Sequence, residues 1–183
     1  MIPRHSQKRM QPLQSRSREP GSDGTLDQRH LRDVFGCFAT GVTIITARLD
    51  DGSPVGLTAN SFSSVSLDPP LILFNLDRGA NCAEAFALGK PFTVNVLRND
   101  QEAQSNHFAS KVEDKFAHPD FEWRDGANGC PGLAGSLAQL ECVCDSLHDG
   151  GDHWIIIGRV QHAERDADGA PLLFFRGRYE SLA

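Results

Sequence analysis

No stretch of this 183-residue chain approaches the roughly 20 consecutive apolar residues that a bilayer-crossing helix needs. The longest runs, such as Leu71–Phe74 and Ile155–Ile157, are strand-sized. Positive charge is scarce outside the first 25 residues: the remainder carries 13 Lys/Arg against 22 Asp/Glu. Such a body repels the nucleic-acid backbone, so neither a membrane nor a nucleic acid is expected as a partner. Paired cysteines are missing too. The five present (Cys37, Cys82, Cys130, Cys142, Cys144) are odd in number and irregular in spacing, and no apolar signal segment precedes them. They read as reduced thiols of a cytoplasmic protein. Cys142-Val-Cys144 lacks the spacing of redox or zinc CxxC motifs, and no metal site is expected. GxSxG, the Walker A lysine loop, HExxH and a strand-borne GxGxxG are all absent. The chemistry must therefore run without a recognisable nucleophile or metal.

What is there fits one domain. Residues 1–25 are rich in Arg, Ser, Gln and Pro, too poor in apolar surface to offset their ordering entropy, and are expected to form a disordered tail. The domain then occupies residues 26–183. Leu31, Val34, Phe35 and Phe38 follow the i, i+3, i+4, i+7 rule with Asp27 as cap, predicting a helix ended by Gly41. Val42–Leu49, Asp50-Asp51-Gly52-Ser53 and an apolar run from Val55 predict a hairpin. Leu71–Leu76 predicts a strand covered on both faces, Asn81–Leu88 a short helix closed by Gly89, and Phe92–Val96 an alternating strand. Residues 99–116 read as partly helical and 126–135 as an irregular loop. Ser136–Leu147 and His153–Glu164 are long strands, and Leu172–Tyr179 is the last. Six or seven strands with few helices and no strand–helix alternation favour a closed antiparallel barrel.

Three segments could carry chemistry. In Gly56–Ser66 the small polar residues Thr58, Asn60, Ser61, Ser63, Ser64 and Ser66 leave room for a flat ligand and offer donors and acceptors to a heteroaromatic edge. A polar edge strand facing water explains the same composition equally well. The turns at Arg78–Asn81 and Ser110-Lys111 place a cation near a helix end, which suits phosphate, although most surface cations are simply solvated. Gly150-Gly151-Asp152-His153-Trp154 delivers a histidine to the start of an apolar strand, and its glycines permit close approach of another molecule. A capping or core histidine is the plainer explanation.

Six stretches taken in order resemble the flavin reductase-like family, and more closely the small reductase components of two-component flavin-dependent monooxygenases. They are Phe38–Thr46, Gly56–Pro70, Phe92–Leu97, Asp114–Phe116, Gly151–His153 with Ile157–Val160, and Pro171–Tyr179. The resemblance implies a mainly β fold, a split barrel of Greek-key antiparallel strands with a few short helices, usually a homodimer. It implies reduction of free FMN or FAD by NADH or NADPH, with reduced flavin passing to a separate oxygenase. By position it assigns Thr58, Ala59, Asn60, Ser61, Phe62, Ser64 and Val65 to the isoalloxazine ring. Arg78, Asn81 and Cys82 fall to the ribityl or phosphate side, joined by Phe108, Ser110 and Lys115. Gly151, Asp152 and His153 fall to the nicotinamide, with Tyr179 assisting and His153 as the catalytic candidate. Cys82 departs from the Ser or Thr more usual there. Two other readings of such a barrel are a flavin- or haem-binding protein without turnover and an oxidase of the pyridoxamine-phosphate type. The first has no use for a nicotinamide turn, and the second needs a basic phosphate cluster that the sequence does not present.

Overall fold

The computed structural model describes residues 26–182; the expected tail at 1–25 lies outside the described residues. Asp27 caps helix α1 (Gln28–Phe35) as expected, its carboxylate accepting from the Arg29 amide at 3.1 Å. The helix ends at Gly36, earlier than Gly41, because the carbonyl of Gly36 is taken by the amide of Arg176 in the C-terminal hairpin. Phe35 at the end of α1 and Phe38 just beyond it are left 69% and 77% exposed, while Leu31 is partly buried.

The period-2 segments form strands. The Asp50–Ser53 turn joins β2 (Thr43–Arg48) to β3 (Pro54–Ala59), after a two-residue β1 (Thr40–Gly41). β4 (Ser63–Leu67) and β5 (Pro70–Asp77) follow, then β6 (Pro91–Val96). On β5 only alternate residues (Ile72, Phe74, Leu76) are buried and Asn75 is exposed, so one face, not both, enters the core. The predicted helix at 81–88 is a single 3-10 turn, Ala83–Phe86, without a side-chain cap. Its continuation is blocked because Gly89 and Lys90 exchange backbone hydrogen bonds with Cys144, at 2.9 Å each. Helix α2 (Glu102–Ala109) comes next. The expected loop at 126–135 holds β8 (Pro131–Leu133), paired with β7 (Trp123–Asp125). Two 13-residue strands, β9 (Ala138–Gly150) and β10 (His153–Arg165), form the longest hairpin. The last expected strand is itself a hairpin, β11 (Leu173–Phe175) and β12 (Arg178–Glu180), turned by Arg176 and Gly177 at positive φ.

Seven strands pair antiparallel in the order β3-β2-β6-β9-β10-β5-β4. The two outermost strands, β3 and β4, are consecutive in sequence and separated only by Asn60, Ser61 and Phe62. A link that short spans about 13 Å at most, so the sheet must roll until its edges meet at that end. The result is a barrel with a seam at residues 59–63. Inside it Phe74, Phe86 and Phe92 stack edge to face, with centroids 5.5–6.0 Å apart. The opposite faces of β2 and β6 carry a second core of Val42, Ile44, Leu97, Phe108, Leu133 and Leu172, covered by α2 and the two short hairpins.

Gly158 lies against the barrel interior, where an added Cβ would meet Phe92 Cζ at 2.4 Å. Overpacking of this kind costs about 1–3 kcal/mol. Gly158→Ala is expected to lose that much stability in urea denaturation; an unchanged midpoint would contradict the packing described.

Candidate functional site

A cleft of about 1230 Å³ opens beside the seam. Its walls are the first half of β3 (Ser53–Leu57), the turn after β5 (Gly79–Cys82) and the segment after α2 (Ser110–Ala117). It exceeds the 300–1,000 Å³ typical of small-molecule pockets, leaving room for a nucleotide and a second flat ring. Gly56 makes the wall thin: a Cβ there would strike the Phe108 ring at 2.9 Å, so α2 can pack directly onto the β3 backbone.

Lys115 supplies the partly buried charge, beside the exposed Lys111, Glu113 and Asp114. Its Nζ donates to the carbonyls of Phe108 at 2.6 Å and Gly56 at 3.4 Å. Both partners are neutral, and partial burial lowers the ammonium pKa below the usual lysine value. Cys82 also lines the cleft; burial raises its thiol pKa, and Lys115 opposes that rise. Asp114 turns away from the lysine to accept from the Phe116 and Ala117 amides at 3.1 and 3.2 Å, shaping the loop that carries Lys115. A desolvated ammonium held by two carbonyls can take an anion at low cost.

Of the residues singled out in the sequence, the cleft gathers Asn81, Cys82, Ser110 and Lys115. Thr58 to Val65 do not line it but continue its β3 wall across the seam into β4. Ala59 is buried, and its carbonyl accepts from Thr43 Oγ1 at 2.7 Å. Asn60 is exposed at the seam, Ser61 Oγ accepts from the Asn75 amide at 2.9 Å, and Phe62 packs on the barrel core. Ser64 and Val65 are exposed at a bulge on the β4 edge. Phe108 is a correction: its ring is 1% exposed and packs on Phe116 and Trp123, so it supports the cleft from behind and cannot touch a ligand with its side chain.

Gly151, Asp152 and His153 form the tip of the β9–β10 hairpin, with Gly151 at φ +84°. His153 pairs in register with Asp77 at the end of β5, and its Nδ1 lies 2.7 Å from Asp152 Oδ1. That hydrogen bond, first among its causes, holds the Asp152 carboxyl below its usual pKa. Arg78 does not face the cleft. Its guanidinium bonds Gly151 and Asp149 and lies 3.8 Å over the Trp154 ring, while its neighbour Gly79 lines the cleft. Tyr179 is placed elsewhere: its hydroxyl meets Ser105 Oγ at 2.8 Å and Asn106 Oδ1 at 3.2 Å on α2. Thr58 Oγ1 donates to the Ser105 carbonyl at 2.7 Å, so α2 is held to β3 by Thr58 and to β12 by the lone tyrosine. Sequence reasoning passed over Ser53, Pro54 and Val55 as cleft wall and Trp154 as the partner of Arg78. Gly56 was the available signal, being the glycine that opens the polar segment.

A barrel open at one seam, with the partly buried Lys115 ammonium and the exposed Lys111 in the cleft beside it, is suited to a nucleotide. A family model described as "Flavin reductase like domain" matches residues 35–183, and the chain belongs to that family. It is 44% identical over 157 residues to the reductase subunit HsaB of a flavin-dependent monooxygenase from Rhodococcus jostii, covering 86% of this chain and 79% of that protein. It is 39% identical to an FMN reductase (NADH), SmoA, of Agrobacterium fabrum, covering 87% of each. An NADH:FAD oxidoreductase from Streptomyces globisporus, solved with NAD and FAD fragments, superposes with a TM-score of 0.80 at 42% identity, over 86% of this chain and 93% of that one. The split-barrel fold expected from the sequence is the fold observed.

Thiol accessibility reports on this geometry. Burial pushes Cys130 and Cys144 up to about 11 and Cys142 up to about 12, whereas Cys37 is exposed and Cys82 borders the cleft. With Ellman's reagent at neutral pH, Cys37 is expected to react first and Cys82 more slowly, the other three only after unfolding. Prompt release from Cys130, Cys142 or Cys144 would contradict the burial described.

Proposed function

We propose that this protein is an NADH-dependent flavin reductase that reduces free FMN or FAD and releases it to a separate flavin-dependent oxygenase. The observation that carries the reading is Lys115, a partly buried cation with only carbonyl partners, set in a cleft of nucleotide size beside the seam. Those residues fit a phosphorylated ribityl chain: Lys115 meets the phosphate, with Asn81 and Cys82 facing it, while the Ser110 hydroxyl donates to the His107 carbonyl at 2.7 Å and shapes the cleft wall. The ring then lies along the backbone of Thr58–Val65. The flavin supplies a ring nitrogen able to accept hydride, so no protein nucleophile is needed. The protein contributes orientation, which accounts for about 7–11 kcal/mol of barrier lowering in the best intramolecular cases. The Gly151–His153 turn adjoins the cleft through Arg78 and Gly79. It offers the nicotinamide a glycine backbone and an imidazole whose Nδ1 is engaged by Asp152.

The relatives named above use NADH with FMN in one case and FAD in the other, which supports NADH as donor for this chain. The exposed apolar residues at the end of α1 and just after it, Val34, Phe35 and Phe38, support a homodimer that covers them. Five free cysteines support a reducing, cytoplasmic setting. No helix among the described residues is long and apolar enough to cross a membrane.

An anaerobic assay with NADH and each flavin is expected to show saturable bleaching of the oxidised-flavin band. Flavin that binds but is not reduced would favour the storage reading. Lys115→Met is expected to weaken flavin binding about 10- to 100-fold, the worth of one charge-assisted hydrogen bond. Because burial lowers the Lys115 pKa, wild-type affinity should fall as pH rises through that lowered value, before an ordinary lysine would deprotonate. A flat alkaline profile, or an unchanged dissociation constant in Lys115→Met, would remove the lysine from the site. His153→Ala is expected to raise mainly the KM for NADH; unchanged steady-state kinetics would sink its role.

A further inference from the structure

The β9–β10 hairpin reaches beyond β6. β6 pairs with β9 only as far as Pro91 opposite Val143, so residues 144–150 of β9 have β10 as their only strand partner. On the other side, β5 accompanies β10 as far as His153, so near the tip β9 is the edge strand of a three-stranded β9-β10-β5 segment. The Gly151-Asp152 turn itself lies past the last strand pairs and depends on support from outside the ladder.

Arg78 is that support. Its amide donates to the Asp152 carbonyl at 3.1 Å, its Nε to the Gly151 carbonyl at 2.7 Å and its Nη2 to Asp149 Oδ2 at 2.6 Å. Asp149 Oδ1 in turn accepts from the Gly151 amide at 3.0 Å. The guanidinium plane also covers Trp154, which pairs in register with Asp149 and with Leu76. One side chain therefore reaches from the end of β5, across β10, to the outer strand β9, and fixes both sides of the turn. A planar fork that bonds a carbonyl and a carboxylate while stacking on an indole suits Arg and not Lys. The Asp149 carboxyl is held below its usual pKa by the Gly151 amide first and by Arg78 second, so the clamp is charged at both ends at neutral pH.

We propose that Arg78 is a positioning residue for the nicotinamide step: it holds the Gly151–His153 turn against the cleft and does not bind the flavin phosphate. The proposal rests on the nicotinamide reading of that turn. It predicts a division between the two substrates. Arg78→Met keeps an apolar stem over Trp154 but loses every side-chain hydrogen bond. It is expected to raise the KM for NADH about tenfold or more, with the flavin dissociation constant, measured by fluorescence titration without NADH, within about twofold of wild type. Arg78→Lys should recover only part of the NADH affinity, because it keeps the charge without the fork. Asp149→Asn, which cuts the clamp from the other end, should move NADH in the same direction. It keeps the test alive if Arg78→Met does not fold. Flavin affinity that falls along with, or instead of, NADH affinity in the Arg78 variants would overturn the proposal, as would an unchanged KM for NADH. His153→Ala, assayed in parallel, separates this from failure of the parent reading. If His153→Ala shifts NADH and Arg78→Met does not, the turn binds nicotinamide but Arg78 does not position it. If His153→Ala has no effect, the turn itself is misassigned.

Discussion

The three-residue link from Ala59 to Ser63 is the constraint on which the rest of the molecule depends. It ties together the two strands that stand at opposite ends of a seven-stranded antiparallel order, and so converts an open sheet into a barrel. Closure at one end leaves a seam rather than a complete ladder, and a seam presents backbone donors and acceptors that a flat polar ligand can use. The residues there are small and polar (Asn60, Ser61, Ser63, Ser64), which keeps the edge open without burying unsatisfied groups. The Ser61 hydroxyl, bonded to the Asn75 amide, stitches the link to β5.

Around that seam the charges are arranged economically. The cleft holds one desolvated ammonium whose partners are carbonyls, and the hairpin tip beyond it is held by one guanidinium whose partners are a carbonyl, a carboxylate and an indole. The two cations differ in what they leave available. Lys115 keeps one donor free for an anion, while Arg78 spends its fork on the protein. Hydride transfer between two bound rings asks the protein for distance and orientation, not for a reactive side chain, which explains why the chain carries none of the usual catalytic motifs.

The strands and the two largest hairpins were legible because their signals are local. Period-2 alternation with Asp-Asp-Gly-Ser or His-Asp-Gly-Gly-Asp between the arms allows few other structures. Element ends were less legible because distant partners decide them. Gly36 ends α1 only because Arg176 takes its carbonyl, and the 81–88 segment shrinks to one turn only because Cys144 captures Gly89 and Lys90. At the site, Asn81 and Ser110 were legible from their turns, Cys82 and Lys115 only through the family resemblance, and all four line one cleft. Phe108 and Arg78 stand beside the cleft in sequence, but side-chain direction sends one into the core and the other to the hairpin. Direction depends on which strand lies next to which, and no motif records that.

The central claim, that the flavin lies across the seam with its phosphate on Lys115, is tested most directly by a crystal structure of the protein grown with FAD. The account predicts a phosphate oxygen at charge-assisted hydrogen-bond distance from Lys115 Nζ, about 2.7–2.9 Å, and the isoalloxazine ring along Thr58–Val65. Ordered flavin in the smaller cavity of about 440 Å³ between β7, β8 and the far end of the β9–β10 hairpin, lined by Arg124, Gln139 and Arg165, would contradict it.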